Sequence, residues 1–136
     1  MKRWQRWRQL SASERHLLIR AGVWVALARL VLSVLPFQQF KRLLNPTVLA
    51  AQTQTPVDSF AWAVRAAARL VPAATCLTQA VALKWMLARA GYTATIHIGV
   101  NQGTASKFSA HAWIERNGQI MLGEEEAGRY SQLLAW

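Results

Sequence analysis

The hydrophobic pattern of this chain changes its period once, at Gly91. Before that glycine, apolar residues recur at the three- and four-residue spacing of helices. After it they alternate with polar residues, as in half-buried strands. A chain that places its helices first and its strands last predicts an α+β fold, because the helices must cover the apolar face of the sheet.

Local signals set the bounds of the predicted elements. Long helices are expected over residues 14–35, 57–70 and 76–90, a shorter helical turn over 37–44, and strands over 94–100, 108–116 and 119–122. Ser11 and Glu14 have the spacing of a capping box, and Asn117-Gly118 is a hairpin signal that makes the sheet antiparallel. The segment 129–134 fits either a short helix or a strand. The helix over 76–90 is apolar nearly all round, which predicts a central, buried position.

At 136 residues the chain has room for one compact domain. We expect a helical region over residues 1–50 and a core over 51–136, with a Gln/Thr-rich linker at 47–56. The apolar run over 17–37 contains Arg20 and Arg29, and its uncharged pieces are shorter than the roughly 20 residues of a membrane span. This run is therefore interpreted as a buried or amphipathic helix.

The chain carries 16 Lys and Arg residues against 6 Asp and Glu residues, a formal net charge of +10. Such an excess indicates an acidic partner, which can be a nucleic acid, an anionic membrane surface or an acidic peptide. The first ten residues place Trp4 and Trp7 among basic side chains, which suits base stacking or a bilayer surface. A single cysteine cannot form an internal disulfide, so a reducing cytoplasm is the expected compartment.

Cys76 is the only cysteine in the chain, and it opens the predicted central helix. In the first turn of a helix, unsatisfied backbone N–H groups and the helix dipole favour a thiolate. A histidine can act as its base and acid, and His111 on a strand is the expected partner, with His97 as a competitor. Glu124, which follows the return strand of the hairpin, is expected to orient the imidazole.

These residues also have simpler interpretations. A lone buried cysteine is more often a small hydrophobic residue than a nucleophile, and a lone histidine is more often structural. Thr78 and Gln79 are alternative polar neighbours of the thiol. One cysteine and three scattered histidines lack the spacing of metal ligands, so neither a metal nor another cofactor is expected.

A family resemblance rests on residues 76–83, 91–94, 98–100 and 108–118. These segments resemble the leader peptidase of lasso-peptide biosynthesis, which is the peptidase half of the split B protein and belongs to a transglutaminase-like cysteine protease family. The stretch Ala110–Glu115 is the most specific part. The resemblance extends from Pro72 to the end of the chain, and the leading helices match more loosely.

The resemblance implies a papain-like core in which a Cys-bearing helix packs on a small antiparallel sheet. It implies proteolysis of a ribosomally made precursor, with Cys76 as nucleophile and His111 as base and acid. The third residue is normally Asp in such families, and Glu124 stands at the matching position. The implied partners are the precursor's leader, a separate leader-recognition protein and the macrolactam-forming cyclase, with no nucleic acid and with peripheral contact to a membrane left open.

Three other functions compete with this one, and the first is a non-catalytic interaction subunit that has kept the fold. An acyl transferase or amidase would use the same thioester chemistry and differ only in the group that resolves it. A basic, Trp-rich module that binds nucleic acid or a membrane surface through residues 1–20 and Lys41-Arg42 would need no catalysis at all.

Overall fold

The computed structural model describes residues 2–36, 39, 42, 46–48, 55–72, 74–101, 109–122 and 131–135. Within these ranges the helices are α1 (Lys2–Gln9), α2 (Ala12–Val34), α3 (Val57–Ala68) and α4 (Cys76–Arg89). The strands are β1 (Thr95–Asn101), β2 (Ser109–Arg116), β3 (Gln119–Leu122) and β4 (Ser131–Ala135). The predicted α+β fold, with its helices first, is confirmed.

The four strands form one antiparallel sheet in the order β3-β2-β1-β4. The hairpin between β2 and β3 turns at Asn117 and Gly118, whose φ angles of 51° and 78° give the left-handed pair of a type I′ turn. The last strand, β4, pairs with β1 across the sheet from this hairpin. The described part of the segment whose type the sequence left open is therefore a strand, Ser131–Ala135.

The core is centred on α4. Thr78 and all residues from Ala80 to Ala88 are buried, because α2 and α3 pack on one side of the helix and β1 and β2 on the other. Leu83 and Met86 of α4 and Ile114 of β2 are among the fully buried side chains. The predicted central position of this helix is confirmed. Gly91 follows its last turn with a φ of 91°, which is the left-handed conformation expected of a glycine there.

Helix α2 is held in the same core along one narrow line of small and medium side chains, which are Leu17, Ala21, Val25 and Ala28. Its first turn carries the predicted capping box. The Ser11 backbone N–H donates to a Glu14 carboxylate oxygen at 2.7 Å, and the Glu14 N–H donates to the Ser11 hydroxyl at 3.2 Å. By length and composition, α2 is the helix among the described residues that could cross a bilayer. Its packing on α3 and α4 instead makes it part of the domain.

Two predicted features fall mainly on residues that the structure does not describe. The turn over 37–44 is described only at Gln39 and Arg42, and the linker over 47–56 only near its two ends. The division into regions 1–50 and 51–136 also has its boundary there, so it stays a prediction.

Candidate active site

Cys76 is the first residue of α4, and the residue before it caps the helix. The Thr75 hydroxyl accepts a hydrogen bond from the Thr78 N–H at 3.3 Å, and its carbonyl accepts one from the Gln79 N–H at 3.0 Å. The cap fixes the first turn, so the direction in which Cys76 leaves the helix is fixed as well. Cys76 is half-buried rather than sealed in the core, which leaves the thiol within reach of a substrate.

The sulfur of Cys76 meets strand β2. The backbone N–H of Ala112 donates to Cys76 Sγ at 3.4 Å. A strand N–H lies in the plane of its sheet, so the sulfur lies at the edge of β2 and not over either face. The described β2–β3 pairing ends at Ile114 and Leu122, and Ala112 lies beyond it. The thiol is thus placed beside the peptide bond that joins His111 to Ala112.

The His111 side chain lies on the face of the sheet that α4 does not cover. Side chains alternate along a strand, and Ala112 and Ile114 are buried on the helix side. His111 stacks instead on Trp113, with ring centroids 6.3 Å apart and an interplanar angle of 21°. His111 and Trp113 therefore share the face of the sheet opposite α4, and Ala112, whose N–H contacts the sulfur, lies between them in the chain.

His97 occupies the same face on the neighbouring strand β1. Its ring stacks on Trp113 at 5.6 Å and 11°, and its Nε2 lies 3.4 Å from a carboxylate oxygen of Glu115. In the sheet register His97 is opposite Trp113, whereas His111, the histidine next to the sulfur contact, is opposite Gly99. His111 is adjacent in the chain to the Ala112 N–H that contacts the sulfur, and its role as the partner of Cys76 stays a prediction.

Sequence reasoning did not identify the contacts of Ala112 and Trp113. The Ala112 N–H is a hydrogen-bond donor to sulfur, and a thiolate accepts such a bond more strongly than a thiol does. Trp113 is only 6% exposed and carries both histidines against its ring. In the sequence, His97 and His111 each alternate with apolar residues along a strand, which is a signal that each points away from the apolar face. That signal could not show that both histidines stack on the ring of Trp113.

The third predicted residue, Glu124, lies outside the described residues, so its role stays a prediction. The two alternative polar neighbours of the thiol, Thr78 and Gln79, differ in their burial. Thr78 is buried and its hydroxyl lies 3.0 Å from that of Thr75, whereas Gln79 is half-buried one turn into the helix.

Over the described ranges, no three His, Cys, Asp or Glu side chains come together in a group that could hold a metal ion. The catalytic roles of Cys76 and His111 also stay predictions.

An α+β fold in which a cysteine begins the central helix, next to a histidine-bearing strand, defines a class of thiol-dependent enzymes. A family model described as the transglutaminase-like superfamily matches residues 18–135. The chain therefore belongs to the transglutaminase-like superfamily, which commonly includes cysteine peptidases. Comparison with curated proteins and with solved structures found no significant match.

Proposed function

We propose that this chain is a cysteine peptidase that removes the leader from a ribosomally synthesised lasso-peptide precursor. The observation that carries the proposal is the hydrogen bond from the Ala112 N–H to Cys76 Sγ, directly beside His111. Membership of a superfamily that commonly includes cysteine peptidases supports the reaction class. The resemblance of Ala110–Glu115 to lasso leader peptidases supports the substrate class.

The reaction follows from the positions of these groups. The Cys76 thiolate attacks the carbonyl carbon of the scissile bond, so that a C–S bond forms and the C–N bond breaks. The leaving amine takes its proton from the His111 imidazolium. Water then attacks the thioester while the neutral His111 imidazole accepts its proton, which releases the leader as a carboxylate and returns the thiol. The Ala112 N–H and the start of α4 stabilise the thiolate before the attack.

The same proposal includes partners and a compartment. In the split form of the family that the chain resembles, leader recognition belongs to a separate protein, so we propose that such a protein delivers the precursor in the cytoplasm. A cyclase then closes the macrolactam on the released core peptide. The formal charge of +10 suits an acidic leader or an acidic partner surface.

The direct test incubates the purified full chain with a candidate precursor and its recognition protein and follows cleavage by mass spectrometry. Cys76→Ser and His111→Asn are each expected to lower the rate by about a thousandfold or more, because each removes a group that takes part in bond breaking. The matched control is His97→Asn, a histidine on the same face, which should keep activity within about fivefold. Cleavage by Cys76→Ser at the wild-type rate would refute the proposal.

A second measurement needs no substrate. Cys76 is the only thiol, so alkylation by iodoacetamide, read by mass, reports its reactivity alone. The rate near neutral pH should fall in His111→Asn and stay unchanged in His97→Asn, because His111 is the proposed proton partner of the thiol and His97 is not. Equal alkylation rates in the wild type and in both histidine variants would show that His111 does not act on the thiol, which would contradict the mechanism.

A further inference from the structure

Helix α2 presents a row of large apolar side chains to solvent, here called the outer stripe. It consists of Ile19, Val23, Leu27, Leu30 and Val34, with exposed fractions of 56%, 62%, 41%, 60% and 69%. Steps of three and four residues place all five on one line along the helix. At a rise of about 1.5 Å per residue, the stripe is roughly 22 Å long.

The outer stripe cannot turn inward. It lies opposite the line of Leu17, Ala21, Val25 and Ala28, which is buried against α3 and α4. Rotating α2 to hide the stripe would expose that buried line, and passing the helix through a bilayer would remove it from the core. The stripe is therefore a fixed outward face of the folded domain.

Basic residues surround the outer stripe. At about 100° per residue, Arg15 and Arg29 lie along one flank and Arg20 along the other. Over residues 2–34 the sequence has seven Lys and Arg residues, and Glu14, held in the capping box, is the only acid. The stripe thus lies within a strongly positive surface.

Helix α1 extends this surface beyond the start of α2. Only Leu10 and Ser11 separate the two helices. Trp4 is 75% exposed, and Arg6 and Arg8 are exposed as well. Tryptophan and arginine together are typical of helices that lie in the headgroup region, where an indole ring spans the apolar boundary and arginine extends to the phosphates.

We propose that the outer stripe and α1 dock this domain on an anionic membrane surface, with α2 lying in the plane of the interface. The shape of the site favours a bilayer as the occupant. The stripe runs along one side of a single helix, which can lie in the acyl boundary of a bilayer while the flanking arginines pair with anionic headgroups. The buried line of α2 stays in the protein core throughout, so docking needs no unfolding.

The test is co-sedimentation of the full chain with vesicles of phosphatidylcholine alone and of phosphatidylcholine mixed with phosphatidylglycerol. The wild type should bind the anionic vesicles at least about tenfold more strongly than the neutral ones, and the binding should weaken as salt is raised. The double variant Val23→Ser/Leu30→Ser should lose about tenfold or more of that binding, since two apolar anchors are removed. Arg15→Gln/Arg20→Gln should weaken binding to the anionic vesicles only.

The matched control is Leu70→Ser, which changes a leucine that is 66% exposed but lies outside the stripe, and it should bind like the wild type. Thermal unfolding and cleavage of the precursor without vesicles check that every variant is folded. No binding to anionic vesicles would overturn the proposal, as would an equal loss in Leu70→Ser. A wild-type dimer in sedimentation that Val23→Ser/Leu30→Ser dissociates would also overturn it, since the stripe would then be an interface between two copies.

Discussion

Helices α2 and α4 have similarly apolar sequences and opposite environments. In α4, Thr78 and all residues from Ala80 to Ala88 are buried, because the helix lies between the other helices and the sheet. Among the described elements, helix α2 packs mainly on α3 and α4, which bury one line of its residues and leave five large apolar side chains exposed. Apolar composition alone therefore does not decide burial. The central helix holds the candidate thiol, and the outer one supplies a surface.

The largest expected effect is on α4. Leu83 is fully buried, and Leu83→Ala removes its contacts and leaves a cavity, which should lower the free energy of unfolding by about 2 to 5 kcal/mol. Urea unfolding followed by circular dichroism measures it. A loss below about 1 kcal/mol would mean that the layers around α4 collapse onto the gap. That result would contradict the description of α4 as a tightly enclosed core helix.

Lys84 tests how strongly the middle of α4 is shielded from solvent. Burial lowers the pKa of Lys84 from its ordinary 10.5 to about 8. The unfolded chain keeps this proton up to pH 10.5 and the folded chain releases it near pH 8, so between these values stability rises with pH. At about 1.4 kcal/mol per pKa unit, the difference between 10.5 and about 8 contributes at most about 3.5 kcal/mol across this window.

Lys84→Met keeps the aliphatic stem and removes the charge, so it should lack this contribution. Any stability advantage of the variant over the wild type should therefore shrink as the pH rises from 8 to 10.5. Thermal or urea unfolding of both proteins across the window measures the difference, in which the titration of all other groups cancels. A difference that is constant with pH would show that Lys84 keeps its proton in the folded state as readily as in the unfolded one.

The N-terminal cap of α4 links stability to the site. Thr75→Ala should cost about 1 kcal/mol of stability, because the Thr78 N–H loses its acceptor. Activity and the alkylation rate of Cys76 should also fall, since the first turn carries the thiol. Thr75→Ser keeps the cap and should restore both readouts. If the alanine variant were as active as the serine variant, the cap would not position the cysteine.

The smallest effect is expected on α2. Val23 is 62% exposed, so Val23→Ala should change the free energy of unfolding by no more than about 0.5 kcal/mol. The same urea titration as for Leu83→Ala gives a direct contrast between the two helices. A cost approaching that of Leu83→Ala would place Val23 in the core and remove the outer stripe.

Local chemistry made much of the fold predictable from the sequence. The Ser11–Glu14 capping box, the glycine after α4 and the Asn117-Gly118 turn depend on residues close together in the chain, and all three have the predicted form. The bounds of the long helices were predicted to within two residues at each end. Residues with local partners show their structure in the sequence because the interaction that fixes them is short-range.

The remaining features depend on distant pairing. Strand β4 lies next to β1 because Leu134 pairs with Ile98, and the local pattern of 131–135 does not contain that partner. The Ala112–Cys76 hydrogen bond likewise needs the packing of α4 against β2 before it exists. The two faces of α2 are both apolar, so periodicity could not show which one the core would take.

The hydrogen bond between Ala112 and Cys76 joins residues 36 positions apart in the chain. At translation speeds of about 5 to 20 residues per second, the ribosome adds the cysteine roughly 2 to 7 s before it adds the strand that completes its surroundings. During that interval the chain contains the candidate nucleophile without the backbone N–H that contacts it. The surroundings of Cys76 are complete only once synthesis has passed β2.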